Sequence, residues 1–270
     1  MGYRVIALDI DGTIRSDEYP LSDRTREAVA KVRAAGADVT VATGRMFRSA
    51  ARASAELGLT APIASFQGAH VADPSTGEVL WHRPLTAAQA VVALEALKPW
   101  GVEVIAYHGE EVYVERLSAW VEAYGNRNQT TINLVGDLRS AAEMEFTRLV
   151  VVGRDEEIER LETEFRGRFD STLYVTRSLP HFCEILHPGG GKEHALAWLC
   201  DYFGVGRAET IAFGNGYNDV RMLEWAGLGV AIGGAVPEAL AVADRVAPPI
   251  EQDGAAQVLE ELLDRGLIGP

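Results

Sequence analysis

Tyr3-Arg4-Val5-Ile6-Ala7-Leu8-Asp9-Ile10-Asp11-Gly12-Thr13-Ile14 is the stretch around which the rest of the 270-residue chain is organised. The apolar run ahead of Asp9, rich in Val and Ile and closed by a turn, predicts a buried strand. Side chains two apart along a strand face the same way. Asp9 and Asp11 are therefore expected to project together from the strand end, with Gly12 permitting a sharp exit. Adjacent carboxylates repel unless a cation, a shared proton or a reaction compensates them. The plainer alternative is a strand that ends in an Asp-Gly turn.

Composition narrows the possibilities. The chain is 47% hydrophobic and 24% charged, ordinary for a globular protein, and its length suits one large domain or two smaller ones. A formal net charge of -14 opposes binding to nucleic acid or to an anionic membrane, and neither is expected as a partner. A phosphate ester still binds an acidic protein where Lys, Arg, backbone amides or a metal reverse the sign locally. Cys183 and Cys200 are the two cysteines and form no CxxC pair, which fits a reducing compartment and small core residues. The Tyr3–Leu8 run is too short for a secretory apolar region and contains Arg4. Ile6 stands where a myristoylation signal needs Ser or Thr, and no apolar run reaches membrane-spanning length. A cytoplasmic location is expected.

Beyond the first strand, Ser22 is a helix N-cap ahead of an Ala28, Val29, Val32 stripe that Gly36 ends. Residues 37–42 read as a strand running into Thr43-Gly44-Arg45, residues 45–57 as a helix, and residues 62–66 as a third strand. This alternation is the signature of an α/β fold with a parallel sheet, in which ligands collect at the carboxyl ends of the strands. The rhythm then changes. A hairpin is expected over residues 70–82, a helix opened by a Thr86/Gln89 capping box, and a second hairpin around His108-Gly109. Strands follow over 145–152 and 173–176, separated by a charged helix over 155–166 that reads as a solvated face. Hairpins mixed with helices indicate an α+β insertion, placed at residues 83–182 between core segments 1–82 and 183–270. From His181 the α/β rhythm returns: a strand over 182–186, a helix over 191–203, and a strand over 210–213 that runs into Gly214-Asn215-Gly216-Tyr217-Asn218-Asp219.

Four pieces converge on these strand ends: Asp9 with Asp11, Thr43, Lys192 at a helix start, and the loop bearing Asn215, Asn218 and Asp219. Carboxylate and amide oxygens are the hard ligands that Mg²⁺ prefers. Thr43, the Gly44 amide and Lys192 are donors suited to phosphate oxygens. A site holding a metal and a phosphoryl group together is implied.

On these residues the chain resembles the haloacid dehalogenase (HAD) superfamily, and specifically its Cof-type phosphatases with a large inserted cap. Asp9-Ile10-Asp11-Gly12-Thr13 matches the first motif, Thr43-Gly44-Arg45 the second and Lys192 the third. Gly214 to Asp219, followed by Met222-Leu223, resembles the fourth. The resemblance implies a Rossmann-like parallel-sheet core with an inserted α+β cap domain, and a Mg²⁺-dependent two-step hydrolysis of a small phosphorylated metabolite, with sugar phosphates favoured. Asp9 would be the nucleophile and Asp11 the acid and base. Ile10, Thr43, Gly44, Arg45, Lys192 and Asn218 would bind phosphate or substrate, and Asp9, Asp11, Asn215 and Asp219 would serve the metal. The cap is expected to close over the site and choose the leaving group. Arg45 has two expected uses, a salt bridge at the helix start or contact with substrate. The alternatives are a phosphomutase of the same superfamily, or a phosphate-ligand binding or regulatory protein with weakened catalysis.

Three departures from the family pattern carry expectations of their own. Asn215 stands where the family usually has Asp, which removes a negative charge, predicts weaker Mg²⁺ binding and shifts the burden to Asp219. Glu193 stands where Gly is usual and is expected to pair with Lys192 and dampen its field. Gln67 replaces the usual Asn before Gly68-Ala69. Other patterns fail. Gly189-Gly190-Gly191-Lys192 lacks the first Gly and the Ser or Thr of a P-loop, no dinucleotide fingerprint follows the first strand, and the histidines lack zinc-site spacing.

Overall fold

The computed structural model describes residues 2–270, Arg127 by its backbone alone. The chain divides into two compact units, one made of the residues up to Trp81 with Gly191–Pro270, the other of His82–Gly190. The first segment supplies β1 (Val5–Leu8), α1 (Asp23–Ala34), β2 (Asp38–Val41), α2 (Phe47–Glu56), β3 (Ile63–Ser65), β4 (His70–Ala72) and β5 (Val79–His82). The insertion supplies α3 (Ala87–Leu97), β6 (Glu103–His108), β7 (Glu111–Val114), α4 (Ala119–Asn128) and β8 (Thr131–Leu134), then β9 (Arg148–Val152), α5 (Asp155–Phe169), β10 (Tyr174–Leu179) and β11 (Phe182–Leu186). The last segment supplies α6 (Lys192–Phe203), β12 (Thr210–Gly214), α7 (Val220–Trp225), β13 (Leu228–Gly233), α8 (Pro237–Val242), β14 (Arg245–Pro249) and α9 (Gly254–Asp264).

In the first unit β1 lies between β12 and β2 in a sheet ordered β14-β13-β12-β1-β2, parallel throughout. A parallel strand covered on both faces needs a continuous apolar run, and Val5 to Leu8 are all fully buried. Their alternation divides the core. Ile6 and Leu8 pack with Ala28, Val29 and Val32 of α1 and Leu259 and Leu262 of α9. Val5 and Ala7 pack with Leu196 and Leu199 of α6 and Met222 and Leu223 of α7. Ser22 caps α1 by accepting from the Thr25 N–H. Because Leu8 pairs with both Val41 and Phe213, Asp9, the Thr43 turn and the loop after Gly214 emerge side by side at the carboxyl end of the sheet. β3 joins β2 through a single bridge, Ala42 to Ala64, and continues into an antiparallel ribbon with β4.

The second unit is a six-stranded sheet ordered β10-β11-β9-β6-β7-β8, antiparallel except for β7 with β8. α3 starts with the expected Thr86/Gln89 capping box. It buries Ala90, Ala93, Leu94 and Leu97 in one cluster with Ile158, Leu161, Phe165 and Phe169 of α5 and with Leu149, Val151, Cys183 and Ile185 of the sheet. α5 is therefore more than a solvated face, since its apolar stripe belongs to the core of this unit. Phe182–Leu186, expected with the returning core, pairs antiparallel with β10 and β9 instead. α4 and β8 had no counterpart in the sequence pattern. Both cysteines are buried and free. Among the described residues no helix is long and apolar enough to cross a membrane.

Candidate active site

The site is built on the turn that leaves β1. Asp9 donates its N–H to the Phe213 carbonyl at 3.0 Å, and the Ile10 carbonyl then accepts from Thr13, Ile14 and Arg15 at 3.1–3.3 Å. Gly12 sits at φ 81°, and a Cβ there would lie 2.3 Å from the Asn215 amide, so both backbone and space require glycine. Ile10 is fully buried. Among the described residues the N–H groups of Ile10 and Asp11 find no acceptor, leaving two adjacent donors at the strand end.

Asp9, Lys192 and Asp219 form the buried centre. Lys192, at the first position of α6 and 0% exposed, donates to Asp9 Oδ1 at 2.6 Å and to Asp219 Oδ1 at 2.7 Å. Burial alone would strip the proton from Lys192, but the Asp219 and Asp9 carboxylates outweigh it and hold the ammonium charged. Two carboxylates facing one ammonium leave an excess negative charge. Burial, and after it the Asp219 charge, push the Asp9 carboxyl up to about 7 against the pull of Lys192. Such a group is compensated by a bound proton or by a further cation. Asp219 Oδ2 accepts the Asn215 and Gly216 N–H groups, each at 2.9 Å. It anchors the lysine and the loop.

Asn215 faces three oxygens: the Asp11 carbonyl at 2.9 Å, Thr13 Oγ1 at 3.0 Å and Asp9 Oδ2 at 3.3 Å. Turned so that its nitrogen faces them, the amide donates to all three. Turned the other way, its oxygen joins a carboxylate oxygen and a main-chain carbonyl in a set of hard ligands suited to Mg²⁺. Among the described residues no three His, Cys, Asp or Glu side chains converge as a metal site. Thr13, to which the sequence pattern assigned no role, donates to Asp9 Oδ2 at 3.1 Å.

Asp11 points elsewhere than Asp9. Its side chain is 57% exposed and held by Arg45, whereas Asp9 shares the Lys192 ammonium with Asp219. The salt bridge Arg45 makes here is with Asp11. Thr43 is buried, and its Oγ1 accepts the Arg45 N–H at 3.2 Å, which leaves its hydroxyl hydrogen to donate. Gly44 follows between them. Asn218 Nδ2 donates to Gln67 Oε1 at 2.8 Å. The expected pairing of Glu193 with Lys192 is overturned. Glu193 lies 3.9 Å from Arg221 and 3.8 Å from His194, while Lys192 engages Asp9 and Asp219. Neighbours one position apart on a helix point about 100° apart.

A family model for haloacid dehalogenase-like hydrolases matches residues 6–259. A 5-amino-6-(5-phospho-D-ribitylamino)uracil phosphatase of Bacillus subtilis is 31% identical over 263 residues, covering 95% of this chain and 96% of that protein. Among solved structures, a phosphatase of the haloalkanoate superfamily from Bacteroides thetaiotaomicron superposes with a TM-score of 0.81 at 27% identity, over 96% of this chain and 95% of the other. A haloacid dehalogenase-like hydrolase from the same organism gives a TM-score of 0.79 at 27% identity, over 96% of this chain and 99% of the other.

Proposed function

The chain belongs to the haloacid dehalogenase-like hydrolases and is a phosphatase of that family, and we propose that it hydrolyses a small sugar or sugar-alcohol phosphate with Mg²⁺ through an aspartyl-phosphate on Asp9. The observation that carries the reading is the buried Lys192 bridging Asp9 and Asp219 at 2.6 and 2.7 Å, beside the unused N–H groups of Ile10 and Asp11. Asp9 Oδ2, the Asp11 main-chain carbonyl and the Asn215 amide oxygen would hold Mg²⁺, which when bound offsets the charge of phosphate and carboxylate and lets them approach.

A carboxylate oxygen of Asp9 forms the new bond to phosphorus as the ester oxygen leaves, and Asp11 gives that oxygen its proton. Asp11 then takes a proton from water as the water oxygen attacks phosphorus and the Asp9–phosphorus bond breaks, releasing inorganic phosphate and restoring Asp9. Lys192, Thr43, Asn218 and the Ile10 and Gly44 amides hold the phosphoryl oxygens, so their contribution is positioning and electrostatics. Arg45 fixes Asp11 until the leaving group arrives. The Bacillus relative's name places its phosphate on a ribityl chain, which supports a phosphorylated polyol or sugar as the substrate class. A cytoplasmic location fits such a metabolite.

The test is phosphate release from a panel of sugar, polyol and aryl phosphomonoesters, with and without Mg²⁺, for the wild type and Asp9→Asn. Release that requires both Mg²⁺ and Asp9 supports the reading. No release from any ester by folded protein with excess Mg²⁺ favours a phosphate-binding or regulatory role, the reading that Asn215 motivates.

A further inference from the structure

Residues 66–68 form a left-handed corner inside the site. Phe66 (φ 50°), Gln67 (φ 58°) and Gly68 (φ 84°) follow one another at positive φ, and two of the three carry side chains. Such backbone persists only where its surroundings over-determine it, and three neighbours do so here. The Phe66 N–H donates to the Arg45 carbonyl at 2.8 Å and the Gln67 N–H to the Thr43 carbonyl at 3.0 Å. Gly68 is closed against the start of α6, where a Cβ would lie 2.3 Å from the Gly191 carbonyl oxygen and 2.8 Å from the Lys192 nitrogen. The Gln67 side chain is 1% exposed. Its Oε1 accepts from Asn218 Nδ2, and its amide end lies over Gly44, where a Cβ would come within 2.4 Å of Nε2.

We propose that Gln67 is a positioning residue that sets the orientation of the Asn218 amide and, through its corner, the register of the Thr43-Gly44 turn and Lys192 around one phosphoryl group. The inference rests on the phosphatase reading. An asparagine amide has two N–H donors and one carbonyl on opposite sides of a freely rotating group. With Gln67 Oε1 as a fixed acceptor, the nitrogen must face Gln67 and the second N–H is aimed in one direction. Without that acceptor the amide rotates, and half of its orientations present oxygen to an anion.

The test measures the affinity of the Mg²⁺-loaded protein for inorganic phosphate by calorimetry, together with kcat and KM on p-nitrophenyl phosphate. It compares the wild type, Gln67→Met, Asn218→Ala and the double variant. Loss of one hydrogen bond predicts that Gln67→Met weakens phosphate binding and raises KM by about five- to tenfold. The double variant should be no weaker than Asn218→Ala alone, because Gln67 acts through Asn218. Gln67→Gly, which suits the left-handed backbone but lacks the amide, should give the same loss if the Met variant folds poorly. Independent, multiplying losses in the double variant, or unchanged phosphate affinity in both Gln67 variants, would overturn the proposal. A wild type that binds phosphate but releases none would count against the phosphatase reading alone, since the binding comparison still decides the role of Gln67.

Discussion

Arg45 grips Asp11 with both prongs of its guanidinium, Nε to Oδ2 at 2.7 Å and Nη2 to Oδ1 at 2.5 Å. The planar fork fixes the carboxylate plane as a single ammonium cannot. Arg45→Lys should therefore lower kcat by about tenfold with little change in KM, within the range for a charged hydrogen bond. The loss should be larger for alkyl phosphates than for p-nitrophenyl phosphate, whose leaving group needs less help from an acid. A rise in KM at constant kcat would instead place Arg45 on the substrate.

In the proposed Mg²⁺ site Asn215 would offer an uncharged oxygen, and its nitrogen can satisfy the same neighbours by hydrogen bonds. Asn215→Asp removes that alternative and adds a negative charge beside Asp9. The Mg²⁺ concentration for half-maximal phosphate release should fall, by about tenfold or more for a neutral ligand replaced by an anionic one. The thermal midpoint should also rise more steeply with added Mg²⁺ than in the wild type. Equal Mg²⁺ dependence in the two proteins would remove Asn215 from the ligand set.

His82, whose Nε2 lies 3.0 Å from Thr147 Oγ1, introduces a pH dependence in the second unit. Burial, with His108 nearby, holds the imidazole below its ordinary value of 6.5 against the opposing charge of Glu145. The folded state therefore binds fewer protons than the unfolded chain. The stability this neutral ring contributes is fully present above pH 6.5 and is lost as pH falls through 6.5 toward the lower folded value. The denaturant midpoint of His82→Gln should fall less over that window than that of the wild type. Parallel pH profiles would show that His82 does not couple folding to protons.

Most of the core was legible because its signals are local. An unbroken apolar run gives β1, Ser22 marks the start of α1, and the Thr86/Gln89 box opens α3. Stretch 116–144 was silent because the second half of α4 carries Gly125 and two asparagines, poor helix formers, and its apolar residues form no clear stripe, while β8 buries none of its four residues. For Phe182–Leu186 the strand was readable but its partners were not, since pairing is set by distant residues. The site shows the same division. Asp9, Asp11, Thr43, Lys192 and Asn215 were marked by their motifs. The Gln67 bond to Asn218 spans 151 positions and depends on a left-handed corner with no local signature.

The most direct measurement of the central claim is the mass of the peptide containing Asp9, taken from enzyme quenched in acid during turnover of a good ester. This peptide should gain one phosphoryl group in the wild type, at a steady-state level that Asp11→Asn alters and Asp9→Asn abolishes. A rapidly turning over enzyme whose only phosphoryl adduct lies on another peptide would contradict Asp9 as the nucleophile.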